Sequence, residues 1–274
     1  MGTVAPVVEA DMILGGGRMP ETGRALWLLF RRSWLGILRR PVTLTFSFVQ
    51  PLVWMAFFGF LFQRFTNAGA LGDLDYLSFV APGVSLMTVL LGASQSGVPL
   101  VRDHQTGYLE RMLCSARGPV FILAGKLLAD GSRLLAQALV VLSLGALLGA
   151  ELDPCAATMP LALVGVLLLA LGLSSLSCVV AAVTREPEPM GTYVHLVNMP
   201  LLFTSTALVP QRHMPSGLAQ IATHNPLSLV VDYWRAAWLG TESPSATTLL
   251  VPALLCASAF ALATWTLGRS VRRP

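Results

Sequence analysis

The chain has 274 residues, of which 54% are hydrophobic and only 12% charged, and a formal net charge of +4 at pH 7. That charged fraction is about half the usual value for a soluble domain, and the mean hydropathy is +0.68. A soluble globular class is excluded, and an all-α integral membrane protein is predicted.

The first 23 residues, MGTVAPVVEADMILGGGRMPETG, lack a basic start leading into an apolar run and are no signal peptide. Gly2 invites myristoylation, but Pro6 stands where that motif needs Ser or Thr. Residues 1–23 are expected to be a flexible cytoplasmic lead-in, with Gly15, Gly16 and Gly17 as the loosest part. Residues 24–274 then form one membrane domain. In Arg24–Arg40 the arginines at 24, 31, 32 and 39 share one helical face, while Leu26, Trp27, Phe30, Trp34, Ile37 and Leu38 share the other. This predicts an interfacial helix over 24–40, with Trp27 and Trp34 at headgroup depth. It serves as a topology anchor or as a mechanical link into the first span.

A bilayer helix needs roughly 20 mostly apolar residues. Six runs without Asp, Glu, Lys or Arg qualify: Pro41–Gln63, Tyr76–Val101, Leu134–Ala150, Pro154–Thr184, Pro189–Gln211 and Ser243–Gly268. The third is short, but the apolar stretch Val120–Ala129 extends it. The predicted spans are about 42–63, 79–101, 122–150, 157–183, 191–211 and 246–268. The runs are continuous rather than alternating, which argues against a strand barrel.

Fifteen of the 18 Lys and Arg residues fall before span 1, after spans 2 and 4, and in the tail; only Arg64, Arg212 and Arg235 fall on the other side. The positive-inside rule then puts both termini in the cytoplasm. The connection after span 2, VRDHQTGYLERM, becomes a cytoplasmic amphipathic helix. The long connection from Arg212 to Glu242 lies outside but is too apolar for a solvated loop. It is expected to re-enter the membrane face as a short helical hairpin, with Asn225 capping a helix and Pro226 in its first turn.

Within spans, the polar residues Ser47, Gln50, Ser94, Gln95, Ser96, Asn198, Thr204, Ser205 and Thr206 can line a path or join packed helices. The consecutive groups Ser94-Gln95-Ser96 and Thr204-Ser205-Thr206 are the better path candidates, with Asn198 beside them. Lys126, Asp130 and Arg133, at i, i+4 and i+7, read as a local ion-pair ladder with snorkelling ends at the foot of span 3. His195 is a lone intramembrane histidine, with proton coupling as its one functional reading. Pro51, Pro82, Pro99, Pro200 and Pro252 lie in or near spans and can kink them. Cys114, Cys155, Cys178 and Cys256 are spaced too widely for a disulfide framework or zinc site and read as small buried residues.

No GxxxxGK[ST] phosphate loop occurs; Gly125-Lys126 is followed by Leu127. HExxH and GxSxG are absent too, and no intramembrane carboxylate pair stands out. No catalytic, cofactor or metal site is expected on this chain. A channel filter or charged ring is missing, and the two halves do not resemble inverted repeats.

Three stretches carry a family resemblance. In RDHQTGYLERM, Gly107, Leu109, Glu110 and Arg111 match a Gly-Thr-Leu-Glu-Arg-Leu pattern, with Tyr108 in place of the common Thr. In GKLLADGSRLLAQAL, Gly125, Lys126 and Arg133 match a Gly-Lys and later Arg. In ALVPQRHMPSGLAQIATHNPLSLVVDYWRAAWLG, Pro210, Pro215, Asn225, Pro226, Leu227, Asp232 and Arg235 match an external helical segment. From about Arg24 to Arg273 the chain resembles the permease subunits of type-2 ABC exporters, in the branch with daunorubicin-resistance and nodulation-factor permeases.

The resemblance implies a permease working as a homodimer or as a pair of related chains. Each would bind a separate ATPase subunit, two copies in all, which carries the Mg-ATP. It implies that Arg102, Asp103, Gly107, Tyr108, Leu109, Glu110 and Arg111 form the ATPase-coupling helix. Leu109 and Met112 would seat in the partner's cleft. Spans 2 and 5 would face a central pathway, and the hairpin with Pro210, Asn225, Pro226, Asp232 and Arg235 would close it. The implied location is a bacterial-type inner membrane, and no nucleic acid partner is expected. The cargo class is a drug, a lipid or a lipid-linked glycan, with Phe57, Phe58, Met87 and Phe203 near the path. A polysaccharide permease and a non-transporting scaffold of the same fold are the alternatives.

Overall fold

The computed structural model describes residues 21–38, 41–66, 75–115, 118–186, 188–240 and 244–270. Among them every regular element is helical, apart from one isolated parallel bridge between Asp153 and Leu239. The lead-in up to residue 20, together with Arg39, Arg40, Arg117, Arg272 and Arg273, lies outside the described residues. The side chains of Arg24, Cys114, Glu110 and His195 do so as well.

Helix α1 (Glu21–Leu38) starts three residues before the predicted interfacial helix. Its Trp27 is 56% exposed and stacks on Phe30. Trp34 is half-buried, and its Nε1 donates to Ser132 Oγ at 2.9 Å. An indole N–H near an apolar bundle takes the nearest acceptor, so this helix is tied to the bundle through its own tryptophan.

Helix α2 (Pro41–Thr66) is one helix despite Pro51. Next comes α3 (Tyr76–Ser94), then a turn at Gln95-Ser96, then α4 (Gly97–Gln105). A second turn at Thr106-Gly107 leads to α5 (Tyr108–Ser115). Helices α6 (Pro119–Leu147) and α7 (Met159–Thr184) complete the centre. Among the described residues four helical stretches are long and apolar enough to cross a membrane: Tyr76–Gln105, Pro119–Leu147, Met159–Thr184 and Ala246–Arg269. The first stays helical past the predicted span end at residue 101, and the single helix predicted over Val101–Met112 is instead broken by the turn at Thr106-Gly107.

The predicted fifth span, 191–211, is differently built. It consists of α8 (Glu188–Tyr193), a π turn (Val194–Asn198) and α9 (Met199–Phe203), and it ends eight residues early. Thr204 Oγ1 donates to Pro200 O at 2.7 Å and Ser205 Oγ to Leu202 O at 2.7 Å, which closes off the last carbonyls. Thr204-Ser205-Thr206 therefore lies in a turn beyond the helix. The hairpin follows as α10 (Ser216–His224) and α11 (Pro226–Leu239), and α12 (Leu250–Ser270) closes the chain.

The main core gathers around α3, which is buried along nearly its whole length between α2, α6, α7 and α11. A second cluster near the other end holds Leu100, Leu109, Leu123, Leu127, Cys178, Ala263 and Leu267. Of the described cysteines, Cys178 is buried, Cys155 and Cys256 are half-buried, and all three are free thiols.

Candidate functional sites

Three groups of residues stand apart from plain packing: an elbow after α4, a polar knot at the break in span 2, and a latch that seats the hairpin.

The elbow turns at Gly107, whose φ of 64° lies in the left-handed region. A side chain there is strained by about 1–2 kcal/mol, which explains the glycine. The turn is closed by Thr106 N to Arg102 O at 3.0 Å and Gly107 N to His104 O at 2.9 Å. Arg111 folds back, donating from Nε to Gly107 O and from Nη2 to Thr106 O, both at 3.2 Å. Leu109 was expected to seat in a partner; instead it is 3% exposed and buried in the chain's own second cluster, with Met112 packed beside it. An apolar residue on the inner face of α5 holds that helix to the bundle. Arg102, Gln105, Thr106, Tyr108 and Arg111 remain exposed.

Arg32 of α1 is one of the arginines that the sequence places on the charged face of the interfacial helix. It reaches Asp103 with Nη2 at 3.2 and 3.1 Å from the two carboxylate oxygens. Its guanidinium lies 4.1 Å from the Tyr108 ring centroid, and Nη1 is 3.5 Å from Met112 Sδ. Tyr108, the departure from the family pattern, is the stacking partner of this arginine. The ion pair is exposed and worth about 0–1 kcal/mol, and the stacking adds about 0.5–1 kcal/mol. This contact sets geometry more than stability.

The polar knot lies where α3 gives way to α4. Lys126 Nζ donates to Ser96 O at 2.6 Å, to Ser96 Oγ at 2.8 Å and to Asp130 Oδ2 at 2.5 Å. Ser96 Oγ also donates to Asp130 Oδ2. Arg133 donates to Gln137 Oε1 at 3.3 Å and Gly92 O at 3.5 Å. The expected ion pair of the ladder is present at Lys126–Asp130, but the Lys126 and Arg133 side chains turn inward rather than snorkelling, because the broken span supplies acceptors that lipid cannot. Ser94 Oγ donates to Asn198 Oδ1 at 2.8 Å, linking the break to the π turn of span 5. Of the path candidates, Ser94, Ser96, Asn198, Ser205 and Thr206 are buried with partners in this chain, Thr204 is half-buried, and only Gln95 is open. Met87 is 4% exposed, whereas Phe57 and Phe203 are exposed.

The latch joins α11 to the N-terminal part of α3. Asn225 Oδ1 accepts from Leu227 N at 2.9 Å, the expected cap, and Nδ2 donates to Leu201 O at 2.8 Å and Thr204 Oγ1 at 2.9 Å. Pro226 takes the first helical position, and Pro210 precedes a short 3₁₀ turn. Arg235 stacks 3.8 Å over Phe79 and donates to Phe79 O, Thr206 O and Asp232 Oδ1 at 3.3, 3.0 and 3.2 Å. Asp232 Oδ1 also accepts from Thr206 Oγ1 at 2.9 Å. Trp234 is fully buried and donates from Nε1 to Ser85 Oγ at 2.8 Å. Beside the hairpin, Leu201, Thr204, Ile221, His224 and Asn225 line an open cleft.

Known proteins are similar to this chain in sequence. Residues 24–239 match the family model described as ABC-2 type transporter. A transport permease, ycf38, of Cyanophora paradoxa is 30% identical over 224 residues, covering 80% of this chain and 77% of its own. The daunorubicin resistance ABC transporter permease protein DrrB1 of Streptomyces coeruleorubidus is 27% identical over 234 residues, 84% of this chain and 81% of that one. Nodulation protein J of Neorhizobium galegae is 24% identical over 229 residues, 78% and 84% of the two chains. A matched region that covers the elbow, the knot and the latch, on a bundle with four membrane-length helices, makes this chain a multi-pass membrane permease that belongs to the ABC-2 type transporter family.

Proposed function

We propose that the chain is the membrane subunit of an ATP-driven exporter in a bacterial-type inner membrane. It moves a lipophilic or amphipathic cargo, and its energy comes from Mg-ATP on a separate ATPase. The observation that carries the reading is the elbow. A chain without a phosphate loop holds a short helix beyond a membrane-length helix, fixed by a left-handed glycine and by Arg111 and Arg32. Such a helix is stiff, and its polar face is open to a soluble partner.

Six crossings with both termini in the cytoplasm agree with the Lys and Arg distribution. The two further crossings in this reading are α2, a single 26-residue helix, and the broken segment from Glu188 to Phe203. Two permease chains and two ATPase copies make the working unit. Gln50 supports a second permease chain: it is exposed about 15 Å along α2, among exposed Val49, Val53, Trp54 and Phe57. An amide facing lipid is unfavourable by roughly 1–3 kcal/mol, and a facing chain removes that penalty. The cargo class is supported by the relative named for daunorubicin resistance and by the exposed Phe57 and Phe203.

Two measurements test the proposal. Purified permease alone is expected to hydrolyse no ATP; intrinsic hydrolysis would overturn the two-subunit division. Glu110→Arg, a charge reversal in α5, is expected to leave folded protein in the membrane but to cut ATP-dependent efflux of daunorubicin from loaded vesicles by at least tenfold. Normal efflux in that variant would remove the coupling role from the elbow.

A further inference from the structure

Span 2 is interrupted, and its interruption is built rather than accidental. In an unbroken helix Ser96, Gly97 and Val98 would donate to Gly92, Ala93 and Ser94. Pro99 works against that course, because its ring would crowd the carbonyl of Gln95. Ser96 N instead donates to Ala93 O at 3.0 Å and Val98 N to Gln95 O at 3.2 Å, two tightened turns. The groups left over are taken by other helices. Ser177 of α7 serves both sides of the gap: Gly97 N donates to its Oγ at 2.9 Å, and its Oγ lies 2.5 Å from Ser94 O. From α6, Arg133 takes Gly92 O, and Lys126 takes Ser96 O. Gly97 has no room for a side chain, since a Cβ would stand 2.4 Å from Ser177 O.

The two sides of this gap are held very differently. Tyr76–Ser94 is locked by Trp234 and Arg235 and by a close approach of Gly83 to Ala207. Gly97–Gln105 carries the elbow at its far end and buries only Gly97, Leu100 and Val101.

We propose that the Gln95-Ser96 break is the hinge of the transport cycle, with Ser177 and Lys126 as its positioning residues. The proposal rests on the reading of the elbow as the ATPase contact. Gly97–Gln105 is a lever about 13 Å long that rotates against Ser177 and Lys126 while Tyr76–Ser94 stays in place. The Ser94–Asn198 hydrogen bond ties the fixed side to the π turn of span 5. Lys126 and Arg133, two of the family-pattern residues, thereby gain a role: they receive the carbonyls of a helix that has to stay broken.

The test uses the permease–ATPase complex in nanodiscs, with Cys114, Cys155 and Cys256 replaced by serine and nitroxide pairs on introduced cysteines. One pair, at Thr106 and Val183, reports the lever; the other, at Asp75 and Leu161, reports the fixed part. Between nucleotide-free and vanadate-trapped complex, the lever pair is expected to shift by about 3 Å or more, as a rotation of about 15° would give. The fixed pair is expected to keep its distance. Ser177→Ala, and separately Lys126→Met with Asp130→Leu, should abolish the nucleotide-dependent shift of the lever pair.

Equal shifts of both pairs, or a wild-type shift in the two variants, overturn the hinge. Loss of folding in both variants makes the cluster a stabilising element only and overturns it too. A wild-type chain that assembles with no ATPase and traps no nucleotide fails at the earlier step, and the exporter reading falls first.

Discussion

Gly83→Val is expected to yield little or no folded permease. A Cβ at this position would stand 2.0 Å from Ala207 O, 2.7 Å from Ala207 C and 3.0 Å from Ala207 Cα. These are backbone atoms, so no rotamer change relieves the clash. The segment they belong to is held by Thr206 N to Ser228 Oγ, Arg235 to Thr206 O and Tyr76 Oη to Leu208 O. Ordinary overpacking costs about 1–3 kcal/mol. A clash against a pinned backbone exceeds that and takes a large share of a typical stability of 5–15 kcal/mol. The check is the yield of monodisperse protein and its thermal midpoint in detergent. Gly191→Val is the control, since nothing lies within 4 Å of a Cβ there. A normal midpoint for Gly83→Val would mean that the latch can slide off span 2.

Lys126→Met is the second large effect. It removes the ammonium from Asp130, which is 7% exposed, and from Ser96 O. Deleting one partner of a buried ion pair costs about 3–5 kcal/mol, because the other charge stays behind unpaired. Adding Asp130→Leu removes that charge, so the double variant is expected to recover a large part of the loss. A double-mutant cycle on thermal unfolding midpoints reads the coupling directly. Additive losses would place Lys126 and Asp130 in separate interactions and contradict the geometry of the knot.

Within this bundle, chemically similar residues have different fates. Ser94 and Ser96 are buried in intrachain bonds, while Gln95 between them is open. The sequence pattern marked all three as polar residues in a lipid-facing run, and it could not rank them. Ser177 drew no notice at all, although it serves both sides of the break. Its one signal was its place in a small-residue stretch, Ser174-Ser175-Leu176-Ser177, within an otherwise apolar run. Arg32 was legible as one of four arginines on an interfacial helix, but its pairing with Asp103, 71 residues away, was not.

The sequence by itself determined the class and the main apolar helices. Run length and charge content are local properties, written in consecutive residues. The Asn225 cap was legible for the same reason, since its acceptor serves an N–H two residues on. Only the tertiary structure decided which faces look inward. It buried Leu109 in the chain's own cluster, turned Lys126 and Asp130 toward the break, ended span 5 at Phe203 and seated α11 on α3. The reason is physical. In an apolar bundle every backbone group freed by a proline or a turn needs a partner, and that partner comes from whichever helix packs alongside. A linear pattern shows that a donor exists, but which carbonyl it meets follows from the packing.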